Sequence, residues 1–485
     1  MTAIRALRSW PPRQRDSLPA TLWDSASIVA ATGGAASAEF TISGVEIDSR
    51  DVRAGDLFVA LQGEARDGHE FLEAAFVRGA TAALVNRPVP YPHVLVEDTA
   101  AALRALAAAA RKRTLGQIVG VTGSVGKTGV KEAIFAALDR SSRGAAHRSV
   151  RSYNNHVGVP LSLARMPAAT RFGVFEMGMN HAGEIAQLTA QVRPHVALIT
   201  TIAPAHIENL GSIEAIADAK AEIFAGLEPG GTAVIPADIP QYEQLRAAAE
   251  RHGVSILTFG RSEHADVRAM DMIPAANGGS LVTVQFGARR LVYSVAEPGE
   301  HWVMNSLAVM ATAHAAGGDM AAAGLALAEM GGLKGRGARH RISVPGGKAL
   351  VIDESYNANP ASMRATLQQL AQTPAGRRIA VLGSMKELGD FSDSFHAGLA
   401  APVRESGLDY LVLVGAEMQA LNRELGRSGI QAVGGKPEFV HCGTAAEAVE
   451  QLRDFGLIGG DAVLVKGSNS LGLNKVVDDL IHWDA

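Results

Sequence analysis

Short, unbroken apolar runs recur along the chain, and between them apolar positions return every third or fourth residue. Unbroken runs suit strands buried on both faces of a sheet, and the longer period suits helices that cover those faces. QIVGVTG (117–123), FGVFEMG (172–178) and HVALITTI (195–202) alternate with the helical patterns KEAIFAALDR (131–140) and SIEAIADAKAEIFAGL (212–227). The same grammar returns after the glycine-rich GGLKGRG (331–337), with ALVIDES, RIAVLGS, YLVLVGA and AVLVKGS as strands. Before it lies a smaller unit: a helical pattern (LWDSASIVAATGG) stopped by Gly33 and Gly34, two short strands (VEIDSR, DLFVAL), and an alanine-rich helix ending in Arg111, Lys112 and Arg113, cations that suit a helix C-terminus. The patterning predicts an α/β protein of three domains: a small α/β unit over residues 22–115, a central, mostly parallel sheet of P-loop type over 116–333, and a Rossmann-like α/β unit over 334–485. Residues 1–21, with arginines and two prolines but no apolar run, are expected to be a loosely attached extension and not a secretory signal.

Composition narrows the class. Apolar residues make up 47% and charged residues 19% of 485, enough for sizeable cores. A formal charge of −4 gives no basic surface for nucleic acid. The single cysteine, Cys442, excludes an internal disulfide framework and fits a reducing compartment. No apolar stretch is long and uninterrupted enough to span a bilayer, so a cytoplasmic protein without membrane insertion is expected.

The strongest chemical signal is Thr122-Gly123-Ser124-Val125-Gly126-Lys127-Thr128, placed between an apolar strand and a helix. Backbone amides there can close around phosphate, the helix N-terminus adds positive potential, Lys127 supplies a mobile charge, and the Thr128 hydroxyl can reach magnesium. Glu176 and His206 lie just beyond two further strands, on the side where open parallel sheets bind ligands. A carboxylate and an imidazole there could hold Mg²⁺ between ATP and a second substrate; equally, Glu176 could cap a helix and His206 could be a hydrogen-bonded loop residue. Periodicity alone puts Lys220, flanked by Asp218 and Glu222, on a solvated helix face. Asn154-Asn155 is either a turn or a binder of polar substrate groups. Asp353 to Pro360 (DESYNANP) packs many polar groups into one loop, which suits a wet site. Arg336 in the glycine-rich hinge could swing onto a phosphate or simply face solvent.

Taken together, these motifs resemble the Mur ligases, the enzymes that build the peptide of the bacterial cell wall. EIDSRDVRAGDLFVALQGEARDGHEF (46–71), the short GxxGKT loop, Asn154-Asn155, Glu176, His206, Lys220, GEHWVMNS (299–306) and Gly335-Arg336 fall in the family's order. ESYNANP (354–360), VLGSMKELG (381–389) and VLVKGSNS (463–470) are similar to the members whose amine is D-alanyl-D-alanine. The resemblance implies an ATP-dependent ligase that joins D-alanyl-D-alanine to UDP-N-acetylmuramoyl-tripeptide and uses ATP and Mg²⁺; a monomer is expected, though the sequence itself gives no oligomeric state. It implies that Ser49 and Arg50 belong to the nucleotide-sugar site, and that Gly123 to Thr128, Asn305, Arg336 and Asp353 face ATP. Asn154, Asn155, Tyr356, Asn357 and Asn359 then serve substrate, with Tyr356, Asn357 and Asn359 on the dipeptide and adenine side. Lys127, Lys220, His206 and Arg336 would be catalytic, and Thr128, Glu176, His206 and a carbamylated Lys220 the metal ligands. Three positions depart from the family pattern: Gly129 follows GKT, Ser384 replaces an Asp, and Asn469 replaces an Arg. The third residue of the tripeptide, diaminopimelate or lysine, stays open.

Overall fold

The computed structural model describes residues 21–63, 66–275, 278–427 and 438–483. The expected extension at 1–21 lies outside them, apart from Thr21. The apolar runs become strands of three main sheets. The first has five strands in the order Ala35–Ala36, His93–Leu95, Ala82–Val85, Asp56–Val59, Gly44–Glu46, parallel except at its first pair. A two-stranded ribbon, Trp23–Asp24 with Thr41–Ile42, flanks it.

The central sheet has nine strands. Gln117–Thr122 lies between Phe172–Glu176 and Val196–Ile199, all parallel. The chain therefore leaves that strand toward opposite sides, and the crevice at its carboxyl end is where such sheets take ligands. Beyond Ser255–Gly260 the sheet gains an antiparallel extension, Val267–Pro274, Ser280–Phe286 and Arg289–Val295. Sequence reading missed these last strands, because one face is exposed and the apolar runs are interrupted by Arg268, Asp271, Arg289 and Arg290.

The third sheet has six strands, with Gly347–Glu354, Asp461–Lys466, Arg377–Gly383, Tyr410–Val414 and Glu438–Cys442 parallel. Its edge strand Ala338–Val344 is antiparallel and was also not anticipated. Helices cover both faces of the two large sheets, and the buried strand residues (Ile118, Val119, Val121, Val174, Phe175 and Leu198 in the central sheet) are fully enclosed. Burial on both faces is why these strands read as continuous apolar runs. Among the described residues, no helix is long and apolar enough to cross a membrane.

Candidate active site

The strand Gln117–Thr122 ends in a loop that only glycine can close at its first position. Gly123 has φ +142°, and a Cβ there would collide with the Thr200 side chain. The loop is tied to the next strand end: Ser124 N–H donates to the Thr201 carbonyl at 2.9 Å, and the Thr200 hydroxyl donates to the Val125 carbonyl at 2.6 Å. Gly126 starts the helix Lys127–Ser142, with the Asn305 amide 3.1 Å from where a Cβ would sit, so Asn305 lies over the phosphate loop. Lys127 Nζ donates to the Gly123 carbonyl at 2.7 Å. Burial lowers its pKa, a trend that Glu176 opposes and Arg336 reinforces. Gly129 has a neighbour that accounts for its departure from the family pattern: a Cβ there would lie 3.0 Å from the Trp302 ring. The indole occupies the space that a hydroxyl side chain would need.

Glu176 terminates the adjacent strand with only 1% exposure. Its Oε1 accepts from Asn154 Nδ2 at 2.8 Å, while Oε2 is buried without a partner. Asn155 does the turn's work, its Oδ1 accepting from Val157 and Gly158 N–H groups. His206 stands in left-handed backbone (φ +61°) and directs Nδ1 at Glu387 of the third sheet's loop region.

Lys220 overturns the expectation from periodicity. It lies on the helix Ile213–Ala221 at 0% exposure, not on a solvated face, and its Nζ has no hydrogen-bond partner. The neighbouring acids mislead because they point elsewhere: Asp218 accepts from Gln244, and Glu222 accepts from the Gly183 and Ala186 N–H groups. Burial, and secondarily the charge of Lys127, pushes the Lys220 pKa well below the ordinary lysine value, so the neutral amine is favoured.

The hinge is a small bridge in which Leu333 and Arg336 exchange backbone hydrogen bonds. The Arg336 guanidinium lies 4.4 Å from the centre of the Tyr356 ring, and its Nη2 donates to Ser152 Oγ at 3.3 Å. Ser152 Oγ is also 3.2 Å from Thr128 Oγ1. Arg336 is therefore linked to the phosphate loop through a serine that sequence reading did not single out. Asp353 is buried, with Oδ2 accepting from Gly335 N–H and Oδ1 from the Ser355 N–H and hydroxyl. Its carboxylate shapes the hinge turn. Asn359 caps the helix Pro360–Gln372 through its side chain. Asn357 Oδ1 accepts from Ala358 N–H, and its carbonyl accepts from Lys466 Nζ at 3.0 Å. Tyr356 and Asn357 of this loop are exposed.

Ser49 and Arg50 lie in the first sheet's region, away from the phosphate loop. Ser49 is buried, and Arg50 is exposed and paired with Asp48. Their neighbour Asp51 reaches the central domain through Arg151 at 2.8 Å. Lys131, Ser152 and Glu387 are the polar residues of the crevice region that sequence reading passed over. Nothing in their spacing distinguishes them from surface residues.

Three segments match described protein domains: residues 41–111 the Mur ligase family catalytic domain, 121–313 the Mur ligase middle domain, and 340–469 the Mur ligase glutamate ligase domain. A UDP-N-acetylmuramoyl-tripeptide–D-alanyl-D-alanine ligase from Synechocystis is 36% identical, covering 92% of this chain and 93% of its own length. A crystal structure of MurF from Acinetobacter baumannii superposes with TM-score 0.79 at 30% identity, over 95% of this chain and 99% of that one. A MurF ligase from Thermotoga maritima in complex with ADP gives TM-score 0.72 at 25% identity, over 90% and 97%. The fold and the phosphate crevice thus define a three-domain α/β ligase. The chain belongs to the Mur ligase family.

Proposed function

We propose that this enzyme joins D-alanyl-D-alanine to the terminal carboxylate of UDP-N-acetylmuramoyl-tripeptide, with ATP converted to ADP and phosphate, as a cytoplasmic step of peptidoglycan precursor synthesis. The observation that carries the reading is the crevice itself. A phosphate loop, a buried carboxylate with a free oxygen and a buried, unpartnered lysine meet at the switch point of a sheet whose near-full-length relatives bear that activity in their names. Residues 22–115 would bind the UDP-muramoyl part through Ser49 and Arg50, 116–333 would bind ATP, and 334–485 would close over both and admit the amine beside Tyr356, Asn357 and Asn359. The hinge contacts of Asp353 put it in a positioning role on the ATP side.

A carboxylate does not react with an amine at neutral pH without activation. A tripeptide carboxylate oxygen attacks the γ-phosphorus of ATP, the bond to ADP breaks, and an acyl phosphate forms. The amine nitrogen of D-alanyl-D-alanine then attacks the acyl carbon, the C–O bond to phosphate breaks, and the amine's proton leaves with the released phosphate. Lys127 and Arg336 neutralise the crowded negative charge, and Asn154 orients Glu176. Closure of the third domain excludes the water that would hydrolyse the acyl phosphate.

The residues fit a divalent cation. Among the described residues no three His, Cys, Asp or Glu side chains converge, yet two buried atoms, Glu176 Oε2 and Lys220 Nζ, lack partners. A neutral Lys220 amine can add CO₂, its nitrogen bonding the carbon as one N–H proton leaves to solvent, and so would become a carboxylate on a long stem, supplying a further anion to the cluster. Thr128, Glu176, His206 and the Lys220 carbamate would then hold Mg²⁺, whose charge balances the phosphate oxygens when bound.

The test is one incubation with ATP, the UDP-muramoyl tripeptide in its diaminopimelate and lysine forms, and D-alanyl-D-alanine. ADP and a new amide of the expected mass should appear together, and only with both acceptors present. Brisk ADP release with neither present would sink the reading.

A further inference from the structure

Lys131 lies one helical turn after Lys127, on the phosphate-loop helix, and is fully buried. Its ammonium makes two hydrogen bonds and one ion pair. Nζ donates to the Ser149 carbonyl at 2.9 Å and to the Arg151 carbonyl at 2.7 Å, and pairs with Glu132 Oε1 at 2.8 Å. Glu132 is held from its other oxygen by Arg148. The two carbonyls bracket a bend in which Arg151 takes left-handed backbone at φ +54°, a conformation unfavourable for a non-glycine residue. Buried lysines are expensive unless fully partnered, so this one is built in for the segment it holds.

That segment, residues 149–155, meets several parts of the crevice. Ser149 Oγ accepts from Glu176 N–H at 3.1 Å, and Asn154 binds Glu176 Oε1 and, by its carbonyl, Gly178 N–H at 2.8 Å. Ser152 stands between Thr128 and Arg336. Arg151 reaches Asp51, next to Ser49 and Arg50. The phosphate loop, the carboxylate strand, the hinge arginine and the first domain therefore all meet one stretch of chain, and Lys131 fixes its shape.

We propose that Lys131 is a positioning residue of the ligase reaction: by clamping the carbonyls of Ser149 and Arg151 it holds segment 149–155 in the shape that sets Glu176, Ser152 and the Asp51 contact for the UDP-muramoyl substrate. This rests on the proposed function for its substrate but not for its geometry. The backbone of the phosphate loop is tied to Thr200 and Thr201 and meets the clamped segment through one hydroxyl contact, Thr128 with Ser152, so nucleotide binding largely survives loss of the clamp while placement of the acceptor does not.

The experiment compares Lys131→Met with the unsubstituted full-length enzyme, counting active molecules by ADP-binding stoichiometry. Per ADP-binding site, kcat should fall by about 30-fold or more and KM for the UDP-muramoyl tripeptide should rise about tenfold, with the Kd for ADP changed by less than about threefold. Amide exchange in residues 149–155 and 176–178 should quicken while that of residues 117–128 stays as it was. Should Lys131→Met not fold, Arg151→Ala, on an exposed side chain, should raise the same KM by itself through the lost Asp51 contact. Unchanged kcat and KM per ADP-binding site, or a loss of ADP affinity in step with kcat, would overturn the proposal, as would unaltered exchange at 149–155. A parent enzyme that makes no amide would instead overturn the proposed function, and the exchange pattern would still decide whether Lys131 is the clamp.

Discussion

Two fully buried lysines of the central domain, on different helices, differ in one respect. Around Lys131 the protein supplies two carbonyl acceptors and a carboxylate ion-pair partner. Around Lys220, equally enclosed, it supplies none. A buried ammonium with a full set of partners can stay charged and hold structure, whereas one without partners is driven to the neutral amine. The first arrangement anchors a segment of chain, and the second leaves an amine unpartnered at a cost in stability. The two lysines are thus held differently, although both look identical by burial alone.

The largest expected effect breaks the comparison on the Lys220 side. Lys220→Ala should lower ligation by about 100-fold or more under the proposed mechanism, because the buried side chain that would carry the metal-binding anion is removed. If the group at work is a carbamate, added acetate should restore part of the rate. Loss without rescue would leave an essential amine, and a near-normal rate would remove Lys220 from the chemistry.

Stability should sort the pair in the other direction. Lys131→Met leaves two carbonyls and Glu132 without their cation and should cost about 2–4 kcal/mol. Lys220→Met removes an unpartnered amine and fills its space with apolar atoms, so it should be neutral or stabilising. Thermal melts of the two variants side by side check this. Equal losses would mean that Lys220 has acquired a partner in solution.

The contrast also explains what the sequence did and did not disclose. Strands buried on both faces were legible because two-sided burial leaves unbroken apolar runs, as at 117–122 and 410–414. The strands at 267–295 were not, because one-sided exposure dilutes the signal with charges. The phosphate loop was legible because the backbone geometry itself demands glycine at 123. Lys220 was misplaced by periodicity: Asp218 and Glu222 suggest a wet helix face, but each is spent on a neighbouring element. Only the family resemblance drew attention to it. Lys131 and Ser152 escaped altogether, since a lysine beside a glutamate and a serine before a tyrosine carry no local mark of tertiary hydrogen bonds. Asp353 and Asn359 were legible as a polar cluster, but their side chains hold a turn and a helix end.

A smaller effect is expected where the third domain meets the second. Glu387 reaches His206 across that boundary, and the His206 contact together with Lys127 lowers the carboxyl's pKa, against the raising effect of burial. The carboxylate is half exposed, so the pair is worth less than about 1 kcal/mol. Glu387→Gln should leave the melting temperature almost unchanged. It should nevertheless shift the nucleotide-free enzyme toward more open shapes, seen as a larger radius of gyration by small-angle scattering. High salt should do the same to the parent enzyme, and identical curves for parent and variant would mean that other contacts set the domain angle.

The smallest effect concerns Glu297, a carboxyl near the hinge that neither lysine touches. It is 7% exposed, and burial with the nearby Glu354 carboxylate pushes its pKa up to about 7, against the pull of Arg339. Between its ordinary value of 4.5 and about 7 the folded protein holds a proton that the unfolded chain has already lost. Stability from this group is therefore fully present at low pH, declines as pH rises through that window, and levels off above it. Glu297→Gln mimics the protonated form and removes the slope. The variant should melt with the parent near pH 5 and about 1–3 °C above it at pH 8. Melts taken across that range give the answer directly: parallel curves would mean that Glu297 is ionised throughout, with Arg339 outweighing both burial and Glu354.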